Sequence, residues 1–211
     1  MEAPSVILTR FADGESGRPA AGRASAAEPD AGEVRLLAAA RRGDVRAYGE
    51  LIRLHDPRCR ALAARLLGDA HGTDDALQDA YCRGFTNLRG FRGDAKFATW
   101  LFRIVYNSCM DLHRARARLV PVAGEEIDDL VAPLVDPAEV VERRHLLRAA
   151  LAGLSAEQRA AVVLVDLLGL DYQAAAGVLG VAVGTIGSRL STARAALRVA
   201  LGASLEEEGP T

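Results

Sequence analysis

The sequence predicts an all-α protein with two small helical domains joined by a flexible acidic linker. Half of the 211 residues are apolar, but aromatics supply only 5%, and the abundance of alanine favours helices over sheets. No strand-like alternation of apolar and polar residues extends beyond a few positions. The charges are also segregated, because residues 83–118 hold eight Lys or Arg and two acids, whereas residues 119–142 hold seven acids and no cation.

The amino-terminal part begins without sustained periodicity. Residues 1–32 are rich in Ala, Gly, Pro, Ser and Glu, so we expect a disordered extension there. Helical signals begin near Glu33. Gly43 and Asp44 predict a helix end followed by an N-cap, and Pro57 predicts a bend or a first turn in the helix that follows.

Two more helices complete a first domain over residues 33–118. Thr73 follows a glycine-bounded break and is the expected N-cap of a helix that turns Leu77 inward. The loop at 90–94 ends on Asp94, the expected N-cap of a long helix over about 95–116. Apolar residues recur in that helix at three- and four-residue spacing and predict one buried face.

The second half of the sequence predicts a linker, a domain and a tail. Residues 119–139 are acidic and contain three prolines, which is typical of a linker, and helicity resumes near Pro137 or Ala138. A second domain is expected over 140–202. It contains a capping box at Ser155–Gln158 and two final helices over about 171–179 and 185–201, with Thr185 as N-cap. An acidic tail occupies 203–211.

The stretch from 83 to 118 combines rings and cations. Aromatic faces can stack on unpaired bases while Lys and Arg contact phosphates, so the pattern suits single-stranded nucleic acid. The alternative is that the rings are core and the cations form a solvated face. The residues concerned are Phe85, Phe91, Phe97, Trp100, Phe102 and Tyr106 among Arg83, Arg89, Arg92, Lys96, Arg103, Arg114, Arg116 and Arg118.

A second DNA signal lies near the carboxyl terminus. Ala176, Gly180 and Ile186 have the spacing of a helix-turn-helix, which needs a small residue where the helices touch, a glycine in the turn and an apolar residue in the second helix. The second helix carries short polar and Arg side chains that can reach phosphates or base edges. An ordinary helical hairpin is the alternative.

Other classes find little support in the composition. The formal net charge of −2 is unlike that of a simple DNA-coating protein, and segregated charge indicates several partners. Three scattered cysteines without a CxxC pair indicate reduced thiols in a cytoplasmic protein. We expect no metal, no cofactor, no secretory signal and no membrane insertion. Without a phosphate loop, an HExxH motif or a nucleophile elbow, we expect no enzyme.

Several blocks together resemble one family, the bacterial RNA polymerase sigma factors of the extracytoplasmic-function (ECF) type within the sigma-70 family. The blocks are 74–80 (DDALQDA), 91–107 (FRGDAKFATWLFRIVYN), 154–159 (LSAEQR) and 184–189 (GTIGSR), with Ala193 and Arg194 beyond. They occur in the family's order and spacing. The resemblance identifies residues 33–118 as similar to sigma domain two and residues 140–202 as similar to sigma domain four.

The resemblance implies a sigma factor that binds core RNA polymerase through the clamp helices and flap, opens promoter DNA and is held by an anti-sigma factor. Residues implied to dock on core polymerase are Asp75, Leu77, Gln78 and Asp79. Residues implied to bind the −10 element are Phe91, Arg92, Lys96, Thr99, Arg103, Tyr106 and Asn107. Residues implied to bind the −35 element are Thr185, Ser188, Arg189, Ser191, Thr192 and Arg194.

Two features depart from the family pattern. Gly187 stands where the family usually has Lys or Arg, and residues 173–176 read QAAA where the family favours Glu-Ile-Ala. A free-standing regulator of the LuxR type, which has a similar helix-turn-helix, is the competing interpretation. It leaves the 74–118 block unexplained. A small helical enzyme or metal scaffold is the third.

Overall fold

The structure is a computed structural model that describes residues 30–119 and 137–207, and all regular secondary structure in these ranges is helical. The described chain forms an amino-terminal unit built on residues 30–119 and a carboxyl-terminal unit built on most of residues 137–207. The predicted all-α class with two helical domains is confirmed. Of the extension expected over 1–32 and the linker expected over 119–139, residues 1–29 and 120–136 lie outside the described residues, whereas residues 31–32, 119 and 137–139 belong to helices.

Four helices build the amino-terminal unit. They are α1 (Ala31–Arg41), α2 (Val45–Leu67), α3 (Ala70–Asn87) and α4 (Phe97–Leu119), with a 3-10 turn at Leu88–Gly90. Gly43 adopts a left-handed φ of 99° after α1, and the Asp44 side chain accepts hydrogen bonds from the backbone N–H groups of Arg46 and Ala47. The predicted helix end and N-cap are therefore confirmed.

Contacts between side chains give the directions of these helices. Tyr48, near the start of α2, packs its ring 5.1 Å from that of Phe85, near the end of α3, so α2 and α3 are antiparallel. Helix α4 packs on both of them. The core between the helices holds the fully buried side chains Leu51, Leu62, Leu77, Leu88, Leu101, Phe102 and Val105.

Three local predictions about this unit need correction. The N-cap of α3 is Asp69, whose carboxylate accepts from the N–H of Gly72 at 2.6 Å, and Thr73 lies within the first turn, buried. Pro57 lies inside helix α2 and therefore does not begin a first turn. Helix α4 begins at Phe97, with the carbonyl of Lys96 accepting from Trp100 N–H, two residues later than expected from an Asp94 cap.

The carboxyl-terminal unit contains four more helices. They are α5 (Pro137–Ala152), α6 (Ala156–Val162, continued by a π-helical turn at Val163–Leu167), α7 (Tyr172–Leu179) and α8 (Val183–Glu207). The capping box predicted at Ser155 and Gln158 is present, with both reciprocal hydrogen bonds. Helix α8 starts before Thr185, which is therefore not its N-cap, and it includes part of the expected tail.

Candidate nucleic-acid interface

Helix α4 has one polar face opposite its buried face. At 100° per residue, Thr99, Arg103, Tyr106 and Asn107 of α4 fall within one sector with Lys96, the residue just before the helix, because Arg103 is three or four positions from Thr99, Tyr106 and Asn107. Lys96, Arg103 and Asn107 are exposed, whereas Thr99 and Tyr106 are half-buried. The structure therefore brings five of the seven residues expected at the −10 element onto one surface.

An aromatic cluster lies beneath the amino-terminal end of that face. The ring of Phe91 lies 5.9 Å from that of Phe97 and 5.3 Å from that of Trp100, and the rings of Phe97 and Trp100 are 5.5 Å apart. Phe91 and Phe97 are buried, and Trp100 is half-buried. Phe91 thus anchors the loop that precedes α4 and leaves little ring surface for a base, while its neighbour Arg92 is exposed.

The buried His55 supports the cluster from α2. Its ring lies 5.4 Å from that of Phe97, and its Nε2 atom lies 3.3 Å from the Glu33 carboxylate of α1 without hydrogen-bond geometry. Burial lowers the pKa of His55, and this effect exceeds the opposing influence of Glu33. Neutral imidazole is therefore the favoured form beneath the cluster.

Helix α3 carries the residues expected to dock on core polymerase, but they divide into two groups. Asp75 and Gln78 are exposed. Leu77 is only 2% exposed and belongs to the core. Asp79 accepts a hydrogen bond from Ser108 Oγ at 2.7 Å, which ties α3 to α4, and another from Arg83 Nε of its own helix at 2.9 Å.

Arg83 extends this connection between the two helices. Its Nη1 donates to Asp111 at 2.7 Å, and Arg114 donates to the other oxygen of the same carboxylate at 2.7 Å. The hydrogen bond from Arg83 is the main cause that lowers the pKa of Asp111. Arg83 and Arg114, which the sequence suggested as nucleic-acid contacts, thus form an exposed ion-pair network within the bundle.

The carboxyl-terminal unit has the expected helix-turn-helix geometry. Helices α7 and α8 are bent by 98° relative to each other at the turn, and Gly180 in that turn has a left-handed φ of 66°. Ile186 is fully buried, as is expected of the residue that holds the second helix against the first. The small Ala176 is 4% exposed where the two helices meet.

The residues expected to bind the −35 element have different surroundings on α8. Ser188, Ser191 and Thr192 are exposed, and Thr185 and Arg189 are half-buried. Arg194 instead makes two hydrogen bonds to Asp166, whose side chain is 5% exposed. A Cβ at the departing position, Gly187, would lie 3.9 Å from the ring of Tyr172, which is an ordinary contact.

Sequence reasoning missed a set of three arginines in the amino-terminal unit. Arg41, Arg42 and Arg46 surround the α1–α2 turn, and Arg89, already a candidate from the sequence, lies in the 3-10 turn that packs against α1. All four side chains are exposed. The signal was the cluster RRGDVR at 41–46, since its one acid, Asp44, is used as a helix cap.

The described residues contain no group of three or more His, Cys, Asp or Glu side chains that could hold a metal ion. Within the same ranges, no single helix has the length and hydropathy of a membrane span. The bent pair α7–α8 meets those two criteria only when both helices are taken together.

Comparison with known families agrees with both units. Residues 51–119 match the model for Sigma-70 region 2, and residues 144–197 match the model for Sigma-70, region 4. The ECF RNA polymerase sigma factor SigM of Mycobacterium tuberculosis is 41% identical over 170 residues, which cover 81% of this chain and 85% of that protein. The chain belongs to the ECF sigma factors.

Other ECF and related sigma factors extend the likeness. The RNA polymerase sigma factor CnrH of Cupriavidus metallidurans is 34% identical, over 85% of this chain and 99% of its own. Among solved structures, CnrH in complex with the cytosolic domain of CnrY aligns with a TM-score of 0.60 and 29% identity over 84% of this chain and 99% of that one. The sigma factor RpoE bound to the anti-sigma factor NepR from Bartonella quintana aligns with a TM-score of 0.63 and 29% identity, over 75% of this chain and 98% of that one.

Family membership establishes the general activity. This sigma factor directs promoter-specific initiation of transcription with RNA polymerase, and the competing LuxR-type interpretation is not favoured.

Proposed function

We propose that the polar face of α4 holds the −10 element in its melted form while α3 holds the sigma factor on core polymerase. The observation that carries the proposal is the alignment of Lys96, Arg103 and Asn107 on one exposed face of a helix whose amino-terminal end also carries the aromatic cluster of Phe97 and Trp100. Cations on such a face bind phosphates, and the Asn amide can donate to or accept from a base edge.

Strand separation has an energetic cost that this surface offsets. Extruding a base forfeits a few kcal/mol of stacking and pairing, and contact with an aromatic ring returns about 1–3 kcal/mol per base. Trp100 and Tyr106, which are half-buried, are the residues proposed for that contact, whereas the buried Phe91 and Phe97 pack against Trp100. Arg92 is placed to contact the strand at the loop before α4.

Docking and −35 recognition use separate surfaces in this account. Asp75 and Gln78 present exposed acceptors on α3 for the clamp helices, and Leu77 and Asp79 keep that surface in place. In the carboxyl-terminal unit, Ser188, Arg189, Ser191 and Thr192 contact −35 DNA with Thr185 at the start of the helix. Arg194 orients α8 through Asp166, so its effect on DNA is indirect.

The partners follow from the family. The structures of CnrH with CnrY and of RpoE with NepR show related sigma factors bound to other proteins, and NepR is named as an anti-sigma factor. An anti-sigma factor that covers the polymerase-binding surface is therefore part of the proposal. The protein acts as a regulatory subunit without catalysis of its own, in the cytoplasm where the polymerase works.

Transcription from a promoter library tests the proposal. Core polymerase is incubated with the purified protein, and the RNA products are sequenced to find the promoters used. Promoter-specific RNA that requires both proteins supports the account. Tight duplex binding without polymerase, accompanied by no promoter-specific RNA, would contradict it and favour the free-standing regulator.

A further inference from the structure

We propose that Arg41, Arg42 and Arg46, here named the basic corner, bind phosphates of the non-template strand just downstream of the −10 element. This inference rests on the proposed function. It adds a second DNA contact that lies outside both the loop before α4 and the polar face of α4.

The acids nearest in sequence to the basic corner have other partners. Glu33 lies beside His55, and Oδ1 of Asp44 accepts from two backbone N–H groups of α2. Among the residues that the structure describes, no carboxylate forms an ion pair with Arg41, Arg42 or Arg46. Three exposed guanidinium groups around one turn form a local positive field that suits a polyanion.

The position of the corner relative to the −10 surface follows from helix directions. Helices α2 and α3 are antiparallel, since Tyr48 Oη donates to the carbonyl of Tyr81 at 2.7 Å and the Tyr48 ring packs on Phe85. The beginning of α2 and the end of α3 therefore lie at one end of the bundle. The turn at Leu88–Gly90 continues from that end and packs on α1.

The strand would follow a row of cations from the loop to the corner. Arg92 and Lys96 flank the loop before α4, Arg89 lies in the preceding turn, and all three are exposed. Among the described residues, no carboxylate pairs with any of them. A single strand that leaves the −10 surface at this end therefore meets cations on both sides of the 3-10 turn. In an open transcription bubble, the strand that continues there is unpaired.

DNA is favoured over an acidic protein because the cations continue to a surface with half-buried aromatic residues. Trp100 and Tyr106 suit unpaired bases, and the Arg side chains beside them suit their phosphates. A cluster of arginines without such rings nearby would suit DNA and an acidic protein equally well.

The test uses holoenzyme and forked DNA from a promoter found in the library experiment. One fork has a non-template strand that ends at the −10 element, and the other extends about six nucleotides further downstream, which is within the site size of single-strand binding surfaces. Affinities of both forks are measured by fluorescence anisotropy over a series of salt concentrations.

The wild-type protein should bind the extended fork more tightly than the short one. Arg41→Gln with Arg42→Gln should remove most of that gain, about tenfold at low salt, and should reduce the salt slope for the extended fork by roughly 1.4, as expected for two phosphates on a single strand. Arg46→Gln, tested alone, should remove a smaller part of the gain. The matched control, Arg35→Gln with Arg53→Gln, removes two exposed charges about two turns from the corner and should keep the gain.

Other outcomes would overturn the proposal. If both corner variants kept the full gain in affinity for the extended fork, the basic corner would not contact the strand. If they lost affinity equally for both forks, the corner would act by general electrostatic attraction alone. Failure of the proposed function is distinguishable, because wild-type holoenzyme would then not bind even the short fork.

Discussion

Arg194 holds Asp166 by two hydrogen bonds, from Nε at 3.1 Å and from Nη2 at 2.6 Å. Asp166 lies in the π-helical turn that continues α6, and Arg194 lies in α8, so the pair fastens the helix-turn-helix to the rest of its unit. The hydrogen bond that Arg194 donates to Asp166 is the main cause that raises the pKa of Arg194. The cation is thus part of the support beneath the DNA-binding helix.

Arg194→Ala should lower the free energy of unfolding of the carboxyl-terminal unit by about 2 kcal/mol, because it leaves the nearly buried Asp166 carboxylate without its cation. Urea unfolding measures the change. Arg198→Ala is the matched control, since Arg198 is exposed and, within the described ranges, its guanidinium donates to a carbonyl of its own helix and to no carboxylate. A loss of −35 DNA affinity without any loss of stability would instead make Arg194 a DNA contact.

Gln78→Ala should weaken binding to core polymerase and leave the free energy of unfolding unchanged, because Gln78 is exposed on α3. Leu77→Ala should chiefly lower the free energy of unfolding, by about 3 kcal/mol, because it opens a cavity in the core. Asp79→Ala should affect both properties, since Asp79 bonds to Ser108 and Arg83. Competition binding to core polymerase, with thermal unfolding in parallel, separates the three. Unchanged affinity for Gln78→Ala would remove this face of α3 from the interface.

Gly187→Ala should raise the free energy of unfolding by about 1 kcal/mol, because alanine favours the helix and the new Cβ meets the Tyr172 ring at an ordinary distance. Gly84→Ala should be destabilising, because a Cβ there would lie 2.5 Å from Tyr48 Oη. Chemical denaturation of both variants provides the comparison. If Gly187→Ala proved destabilising, the helix around it would have to differ from the one described.

Acidification should destabilise the amino-terminal unit through His55. Its pKa lies below the ordinary 6.5 in the folded protein, so the unfolded chain binds the proton first as the pH falls. The contribution of His55 to the free energy of unfolding is fully present above about pH 6.5 and declines as the pH falls below that value. The other charged groups that influence His55 are Glu33 and Arg58, which act in opposite directions.

Unfolding free energies between about pH 8 and about pH 5.5 should therefore fall more steeply for the wild type than for His55→Gln. The imidazole titration itself can be followed by NMR. Glu33→Gln should lower the pKa of His55 further, because the carboxylate favours the protonated ring. A His55 pKa above 6.5 would show that Glu33 outweighs burial and would reverse the predicted slope.

Much of the helical framework could be predicted from the sequence because its signals are local. Asp44 and Ser155 cap helices where their side chains suggested, and apolar spacing indicated the buried face of α4. The N-cap at Thr73 was wrong because Asp69, four residues earlier, offers a carboxylate to the same turn. Two adequate caps so close together cannot be ranked without the packing around them.

Site residues were harder to assign where their partners are distant in sequence. Arg194 pairs with a residue 28 positions away, and Asp79 bonds to Ser108, 29 positions away. Phe91 carried an aromatic signal that suits a base equally well, but its ring packs against Phe97 and Trp100. Periodicity indicates which face is buried, whereas ion pairs and ring clusters between elements depend on tertiary structure.

The central claim is that the α4 polar face stabilises melted −10 DNA without contributing to polymerase affinity. A fluorescent adenine analogue, 2-aminopurine, placed in the non-template strand of the −10 element brightens when its base is unstacked. Wild-type holoenzyme should raise this fluorescence, and so should the control Arg53→Ala. Arg103→Ala and Asn107→Ala should each reduce the increase about tenfold while binding core polymerase as tightly as the wild type. Fluorescence equal to the wild type, or a matching loss of core affinity, would contradict the account.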